Sequence, residues 1–156
     1  VYGPWGRPDM ALFKFTKAIL RDESFPVFNF GHHKRDFTYI DDIVSGVVNT
    51  CFKPAESNAS WSGLSPDQSS SSAPWKIYNI GNSEPVLLLD YIKEIEKCLG
   101  KKGKYELLPM QAGDVADTSS DITKLKNEIG YEPTTPVSLG VAKFVEWYKD
   151  YYAVTK

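Results

Sequence analysis

The chain has 156 residues, of which 42% are hydrophobic and 13% aromatic. This apolar content suffices for one core, so the length predicts a single domain or part of one and excludes a disordered tail. Lys and Arg total 18 against 20 Asp and Glu, a net charge of -2, which excludes the basic field that binds nucleic acid or an anionic membrane.

The first third of the chain predicts two helices separated by two short strands. Asp9 is placed to cap a helix whose apolar residues recur at helical spacing up to Arg21. Residues 25–30 and 37–39 are typical of short strands. Thr38-x-x-Asp41 resembles a capping box with Asp in place of Glu, and it opens the second helix. That helix carries a broad apolar stripe that must pack against another element: Ile43, Val44, Val47, Val48, Cys51 and Phe52.

The rest of the chain alternates strands and helices after one long loop. Residues 57–74 are Ser-rich and lack periodicity, which is typical of a functional cover or a disordered segment. A strand at 76–80 and another at 105–108 each precede a helix, and Thr135-Pro136 begins the last helix. The first two of these helices stop at glycines, Gly100 and Gly130. Strands interleaved with helices predict an α/β unit, and no linker divides it.

The cysteines and histidines predict no metal site. His32 and His33 adjoin in a turn without further ligands at suitable spacing, so both are expected to be solvated. Cys51 and Cys98 fall on the apolar stripes of predicted helices, which indicates buried, reduced thiols in a cytoplasmic protein. A single disulfide is the alternative. No apolar run approaches the roughly 20 residues that span a bilayer, so no membrane partner is expected.

Two features concern nucleotide binding. Arg35 stands just ahead of a predicted strand that feeds an apolar helix, and a guanidinium at such a junction can grip a phosphate through two parallel hydrogen bonds. The alternative is a charge paired with Asp36 or Asp41. None of the eleven glycines forms Gly-x-Gly-x-x-Gly, so the chain has no cradle for a dinucleotide pyrophosphate. Residues 1–4 are typical of a strand entering a turn, which predicts that an N-terminal half is missing.

Four segments resemble one family in their order and spacing: 1–11 with Tyr-Gly-Pro-Trp-Gly-Arg, 34–42 with Arg-Asp-Phe-Thr-Tyr, 77–82 with Tyr-Asn-Ile-Gly, and 109–115 with Ala-Gly-Asp. They are similar to the C-terminal part of the extended short-chain dehydrogenase/reductase family, and within it to the UDP-glucuronate 4-epimerase branch. The resemblance covers residues 1–156. It implies a small α/β substrate-binding domain with short strands, about five helices and part of the sheet edge of a missing Rossmann domain.

The resemblance also implies roles for side chains. Arg7 is expected beside the hexose ring, where its planar fork pairs with the C5 carboxylate; the alternative is an ion pair with Asp9. Arg35 is expected at the UDP pyrophosphate. Asp114 follows Gln111, where many relatives have an arginine in Arg-x-Gly-Asp, and it is expected to accept ribose hydroxyls. Uracil is expected against one strand, largely through backbone groups: Val27, Phe28 and Asn29.

The implied activity is interconversion of UDP-glucuronate and UDP-galacturonate through a 4-keto intermediate, in a full-length protein that is expected to be a homodimer. NAD and the catalytic Tyr-x-x-x-Lys are expected in the missing half, so this chain alone is predicted to be inactive. The alternatives are a UDP-N-acetylglucosamine 4-epimerase, a UDP-glucuronate decarboxylase and a non-catalytic nucleotide-sugar-binding module. Tyr152-x-x-x-Lys156 matches the catalytic motif by letter, but it lies on a fraying C-terminal helix end and is interpreted as a coincidence.

Overall fold

The computed structural model describes residues 1–154, and these residues form the predicted α/β unit with five α-helices and four short strands. The helices are α1 (Ala11–Leu20), α2 (Ile40–Cys51), α3 (Leu88–Leu99), α4 (Thr123–Ile129) and α5 (Val137–Tyr151). The strands are β1 (Ser24–Val27), β2 (Lys34–Arg35), β3 (Val86–Leu87) and β4 (Lys104–Leu107). Both the fold class and the short strands are confirmed. Within residues 1–154, no helix is long and apolar enough to cross a bilayer.

The strands of the described chain form two separate pairs. β1 runs parallel to β4, with Ser24 opposite Lys104 and Val27 opposite Leu107. A parallel pair needs a long crossover, and α2 and α3 lie between these two strands in the sequence. β2 is antiparallel to β3 over two residues. The β1–β4 pair ends beside the segment that leads into β2, and this junction forms one wall of the site described below.

The strand expected at 25–30 is shorter than predicted. It ends at Val27, because Asn29 and Phe30 adopt φ angles of 51° and 50° and turn the chain through a short 3-10 segment. The backbone N–H of Phe30 then donates to the Leu108 carbonyl at 2.9 Å. The turn keeps the chain beside the end of β4, although the β1–β4 pairing itself stops at Val27.

Two other predicted strands are displaced or unpaired. The strand expected at 37–39 lies at 34–35, and Tyr39 forms only an isolated parallel bridge with Tyr2. The strand expected at 76–80 pairs with no strand in the part of the chain that the structure describes, and Lys76 forms only an isolated antiparallel bridge with Ser70. This extended run has apolar residues but no ladder partner, so the sequence pattern is present without the pairing.

The main core lies where α1, α3 and α5 pack together. Among its most deeply buried side chains are Ile19, Ile92, Ile95, Val141 and Phe144, each at most 1% exposed. Burying an aliphatic or aromatic side chain of this kind contributes about 1.5–3 kcal/mol. Phe37 stacks on Tyr91 with ring centroids 3.8 Å apart, which fixes the segment after β2 against the core.

The helix stops are confirmed, whereas the predicted cap of α1 is wrong. Gly100 and Gly130 follow α3 and α4 with φ angles of 65° and 75°, the left-handed conformation that glycine adopts without a steric cost. At α1 the N-cap position is Met10, and no side chain caps the helix. Asp9 instead accepts hydrogen bonds from Arg7.

The predicted capping box of α2 is also wrong. The helix begins after Tyr39 without a side-chain cap, and the Thr38 hydroxyl lies 3.5 Å from the Asp36 carbonyl. In the first turn, Asp42 is 7% exposed. Its carboxylate accepts the backbone N–H groups of Thr134 at 3.2 Å and Thr135 at 3.1 Å. The acidic residue thus ties α2 to the segment before α5.

The apolar stripe of α2 is largely exposed, so the expectation that it packs against another element of this chain is wrong. Five of its residues form what we call the α2 face, and all are exposed: Val44, Val47, Val48, Cys51 and Phe52. The helix contacts its own domain on a narrower side at Gly46, close to Ile80 and Tyr131. A buried thiol at Cys51 is therefore also wrong. Cys98 is half-buried, and burial raises the pKa of its thiol.

Candidate functional site

A groove of about 430 Å³ opens between α1, the end of β1, the segment around β2 and residues 114–118. Its floor is apolar and belongs to the main core, with Phe15, Val27 and Tyr91 among the lining side chains. Its polar groups gather on one wall, where Arg35 and Asp114 lie beside a histidine. An apolar pocket with a few converging polar groups is the usual form of a small-molecule site.

Two hydrogen bonds bring the polar wall together across a long stretch of sequence. The backbone N–H of Lys34 donates to the Ala116 carbonyl at 3.0 Å, and the Lys34 carbonyl accepts the N–H of Thr118 at 3.1 Å. Residues 114–118 therefore lie along β2 in a fixed register. Because strand side chains alternate, Arg35 points to the same side as residues 33 and 37, and all three line the groove.

The Arg35 guanidinium is held by two carbonyls and one carboxylate. Its Nη1 donates to the carbonyls of Lys34 at 3.0 Å and Ala116 at 2.8 Å, and its Nη2 donates to Asp114 Oδ1 at 3.1 Å. The side chain is 26% exposed, so a ligand in the groove can still reach it. The alternative pairing with Asp36 or Asp41 is not what the structure shows.

Asp36 has a different task at the base of the same wall. Its carboxylate accepts backbone N–H groups from Asn82 at 3.1 Å, Ser83 at 3.2 Å and Ser120 at 3.0 Å. A carboxylate that accepts three N–H groups is strongly anchored. It joins β2 to the loops before α3 and α4. Asp36 is therefore not the partner of Arg35, which pairs with Asp114.

Asp114 sits at a turn beside Gly113, whose φ is 82°. Its backbone N–H donates to the Gln111 carbonyl at 3.2 Å, and its Oδ1 accepts the N–H of Val115 at 2.8 Å. The carboxylate is 35% exposed. The turn presents it toward the groove with Arg35 on one oxygen, and so the two groups predicted to meet phosphate and ribose are neighbours.

His33 is the residue of the site that the sequence interpretation missed. Expected to be solvated, it is 3% exposed, whereas its neighbour His32 is exposed as predicted. Its Nδ1 lies 3.2 Å from the Ala116 carbonyl and its Nε2 lies 3.2 Å from Asp114 Oδ2. The signal was the alternation of an extended segment: position 33 shares a side with Arg35 and Phe37.

The predicted uracil strand is only partly on the groove. Val27 and Phe28 line it, and the Val27 carbonyl already accepts the Leu108 N–H at 2.9 Å. Asn29 does not line it, because the chain has turned there with a φ of 51°. The groove therefore receives two of the three predicted positions.

Arg7 lies outside the groove. Its side chain is 75% exposed, and its Nε and Nη2 donate to the two oxygens of Asp9 at 3.0 and 2.5 Å. This hydrogen bonding lowers the pKa of Asp9. The Arg7 carbonyl accepts the N–H of Met10, which does line the groove. Arg7 is thus one turn away from the groove, and its contact with a sugar carboxylate stays a prediction.

Tyr152, the first residue of the Tyr152-x-x-x-Lys156 match, does not line this groove. Tyr152 packs beside Phe13 and Tyr148, with ring centroids 5.8 and 4.7 Å away. Lys156 lies outside the described residues. Within residues 1–154 no three His, Cys, Asp or Glu side chains are grouped to hold a metal.

Comparison with known proteins gives one consistent result. The chain is 51% identical over 152 residues to Protein CapI of Staphylococcus aureus, covering 97% of this chain and 46% of the relative. It is 42% identical over 153 residues to a probable UDP-glucuronate 4-epimerase of Rhizobium meliloti, covering 97% of this chain and 45% of the relative. The chain thus spans less than half the length of these curated relatives.

The fold comparison agrees with the sequence comparison. A crystal structure of UDP-glucuronic acid 4-epimerase from Bacillus cereus, in complex with UDP-glucuronic acid and NAD, is similar with a TM-score of 0.78 and 31% identity. The match covers 97% of this chain and 43% of the crystallised chain. The model of the NAD dependent epimerase/dehydratase family matches residues 1–81, more than half of the chain. The chain therefore belongs to the NAD-dependent epimerase/dehydratase family.

Proposed function

We propose that this chain is the UDP-sugar-binding portion of an NAD-dependent 4-epimerase that interconverts UDP-glucuronate and UDP-galacturonate. One observation carries the proposal: Arg35 and Asp114 lie 3.1 Å apart on one wall of an apolar groove. A guanidinium can bind a diphosphate through parallel hydrogen bonds, and a neighbouring carboxylate can accept the hydroxyls of the ribose that is joined to the diphosphate. Similarity to the Rhizobium meliloti and Bacillus cereus proteins supports the choice of uronic acid.

In this proposal the chain holds UDP while the hexose turns. The apolar floor beside Val27 and Phe28 receives the uracil ring, Arg35 binds the diphosphate, and Asp114 accepts the ribose hydroxyls. Epimerisation at C4 requires the sugar to present both faces without leaving the enzyme. A nucleotide anchored at three points keeps the released ring within reach, so fixed positioning contributes directly to turnover.

We propose that NAD binds outside the described residues. The glycines with close neighbours face this chain's own atoms: Gly31 faces Leu89, and Gly81 faces Asp36 and Ser120. None of the eleven glycines belongs to a Gly-x-Gly-x-x-Gly turn. We therefore assign the NAD of the full-length protein to an N-terminal half.

The α2 face supports the presence of such a half. Val47 is 54% and Phe52 80% exposed, and contiguous apolar surface of this kind usually marks an interface. We propose that the N-terminal half covers it. The full-length protein is further proposed to be a cytoplasmic homodimer; the free thiols of Cys51 and Cys98 accord with a reducing compartment.

Product analysis of the full-length protein tests the proposal. Incubated with NAD and UDP-glucuronate, it should yield UDP-galacturonate, with the uronic carboxyl retained. Carbon dioxide release would instead indicate a decarboxylase, and conversion of UDP-N-acetylglucosamine alone would indicate the other epimerase. Calorimetry with UDP should show binding to the full-length protein. If the full-length protein bound UDP but converted no UDP-sugar, it would be a non-catalytic nucleotide-sugar-binding module. If it did not bind UDP, the proposal would be overturned altogether.

A further inference from the structure

His33 presents two ring nitrogens to two hydrogen-bond acceptors. The side chain is 4% exposed, with Nδ1 3.2 Å from the Ala116 carbonyl and Nε2 3.2 Å from Asp114 Oδ2. A carbonyl and an ionised carboxylate can only accept. The Ala116 carbonyl already accepts the Lys34 N–H and Arg35 Nη1. A proton on Nε2, which faces an oxygen that has no proton to give, therefore has the less occupied acceptor.

The contact with Asp114 is close but incomplete. Although the two atoms lie 3.2 Å apart, their directions do not make a hydrogen bond, and Nε2 has no hydrogen-bond partner among residues 1–154. Leaving a buried polar atom unpaired is unfavourable, so a state of the site in which Nε2 gains an acceptor is favoured. Asp114 Oδ2 is the acceptor within reach.

Asp114 is hydrogen-bonded to Arg35 and lies close to His33 without a hydrogen bond to it. Arg35 Nη2 lies on Oδ1, while His33 lies beside Oδ2. A diphosphate that approaches Arg35 also approaches this carboxylate, and the two negative charges repel each other. Arg35 can bind the diphosphate fully only when another donor holds Asp114.

We propose that His33 is that donor: a positioning residue whose Nε2–H holds Asp114 when Arg35 Nη2 passes from the carboxylate to the diphosphate. The exchange leaves Arg35 anchored, because its Nη1 keeps the carbonyls of Lys34 and Ala116. It also aims the free carboxylate oxygen at the ribose. This inference rests on the proposed UDP-binding function and adds to it a residue that touches neither phosphate nor sugar.

Two isosteric substitutions separate the two nitrogens. The amide nitrogen of Gln reaches the Nε2 position, whereas the amide nitrogen of Asn reaches the Nδ1 position. His33→Gln therefore keeps a donor toward Asp114, and His33→Asn keeps only the donor toward Ala116. The exposed neighbour His32 supplies the matched control, His32→Asn.

The experiment measures UDP affinity by calorimetry, together with KM, kcat and thermal unfolding, in the full-length protein. His33→Asn should weaken UDP binding about tenfold, the loss of one hydrogen bond to a charged group. KM should rise with kcat nearly unchanged, because ground state and transition state lose the same anchor. His33→Gln and His32→Asn should bind UDP within about threefold of the wild type.

A double-mutant cycle gives a second measurement that does not depend on how well the Asn variant packs. In the Asp114→Asn background, His33→Asn should have no further effect on UDP affinity, because the carboxylate it positions is gone. Unchanged UDP affinity in His33→Asn, equal losses in the Asn and Gln variants, or additive losses in the cycle would each overturn the inference. A wild-type protein that fails to bind UDP would overturn the proposed function itself.

Discussion

Arg35 and Asp114 form an ion pair across 79 residues of sequence, with Nη2 3.1 Å from Oδ1. Arg35 belongs to β2 and Asp114 to a turn, and neither is fully buried. The pair forms because residues 114–118 lie along β2 in a fixed register. A surface ion pair of this kind contributes little to stability, typically about 0–1 kcal/mol. The pair instead keeps one positive and one negative side chain at the wall of the groove, where both can contact a ligand.

Replacing Arg35 tests the phosphate role. Arg35→Ala should weaken UDP binding about 10- to 100-fold, because charged hydrogen bonds to phosphate contribute about 1.5–3 kcal/mol. Arg35→Lys should recover only part of the affinity, since an ammonium lacks the planar fork. The measurement is calorimetry with UDP and with uridine on the full-length protein. Uridine affinity should change much less.

The control for Arg35 is Arg21, an arginine at the end of α1 that is 60% exposed and lies 3.9 Å from Glu23. Arg21→Ala removes the same charge from the chain without touching the groove. If both variants lost UDP affinity equally, the effect would be one of net charge, and a specific phosphate contact at Arg35 would be untenable.

Arg7 tests the carboxylate role. Its guanidinium must leave Asp9 to meet a uronic acid, so Arg7→Ala should raise KM for UDP-glucuronate about tenfold or more while leaving the affinity for UDP unchanged. Steady-state kinetics and calorimetry measure the two quantities. A variant with the KM and product ratio of the wild type would leave Arg7 as the surface ion pair seen here.

Asp9→Asn is the companion to Arg7→Ala. It removes the competing carboxylate and keeps the arginine, so it should not raise KM for UDP-glucuronate. The side chains of both residues are more than half exposed, and neither substitution should alter thermal unfolding. A common fall in melting temperature would point to a structural role of the loop.

The sequence predicted what is decided locally. The stops at Gly100 and Gly130 follow from the left-handed backbone that glycine adopts easily. The positions of α3 and α5 follow from apolar residues at helical spacing. Arg35 was singled out by its place at a strand-helix junction, although the predicted strand begins three residues after the one observed.

What the sequence did not predict depends on partners far along the chain. His33 is buried against Ala116 and Asp114; the local alternation places it on the side of Arg35, but it does not show which distant residues cover that side. Asp9 does not cap α1 because Arg7 provides a charged partner two residues away. A polar side chain that can cap a helix can also bind another partner, near or far in sequence, which explains why the predicted N-caps were wrong although the helices and their glycine stops were right.

The α2 face gives a prediction about assembly. In the 156-residue chain Val47→Asp should change the free energy of unfolding by less than about 1 kcal/mol, since exposed substitutions cost little. In the full-length protein the same change should lower the melting temperature, because a charge would then be buried against the N-terminal half. Thermal unfolding of both forms measures the difference.

Val141 is the control for the α2 face. It lies in α5 at 0% exposure, so Val141→Asp should unfold the short and the full-length forms alike. Equal tolerance of Val47→Asp in both forms would mean that the N-terminal half does not cover α2. The comparison therefore separates a lost interface from a general loss of stability.

Gly140 and Tyr2 give a prediction about packing that does not depend on any ligand. A Cβ at Gly140 would overlap the Tyr2 hydroxyl and ring, and overpacking of this kind costs about 1–3 kcal/mol. Alanine would gain only about 0.5–1 kcal/mol over glycine inside α5. Gly140→Ala should therefore lower the free energy of unfolding, as measured by urea denaturation.

Tyr2→Phe should partly rescue that loss. The Tyr2 hydroxyl is buried and has no hydrogen-bond partner within residues 1–154, and burial raises its pKa. Removing an unpaired buried hydroxyl is close to neutral or stabilising, and it frees space for the new methyl group. The double variant should be more stable than Gly140→Ala alone, with a coupling of about 0.5–3 kcal/mol. Gly63→Ala is the control for overpacking, because no atom lies within 4 Å of the added carbon. It should not lower the free energy of unfolding. Additive effects of the two substitutions would show that the ring, and not the hydroxyl, limits the space at α5.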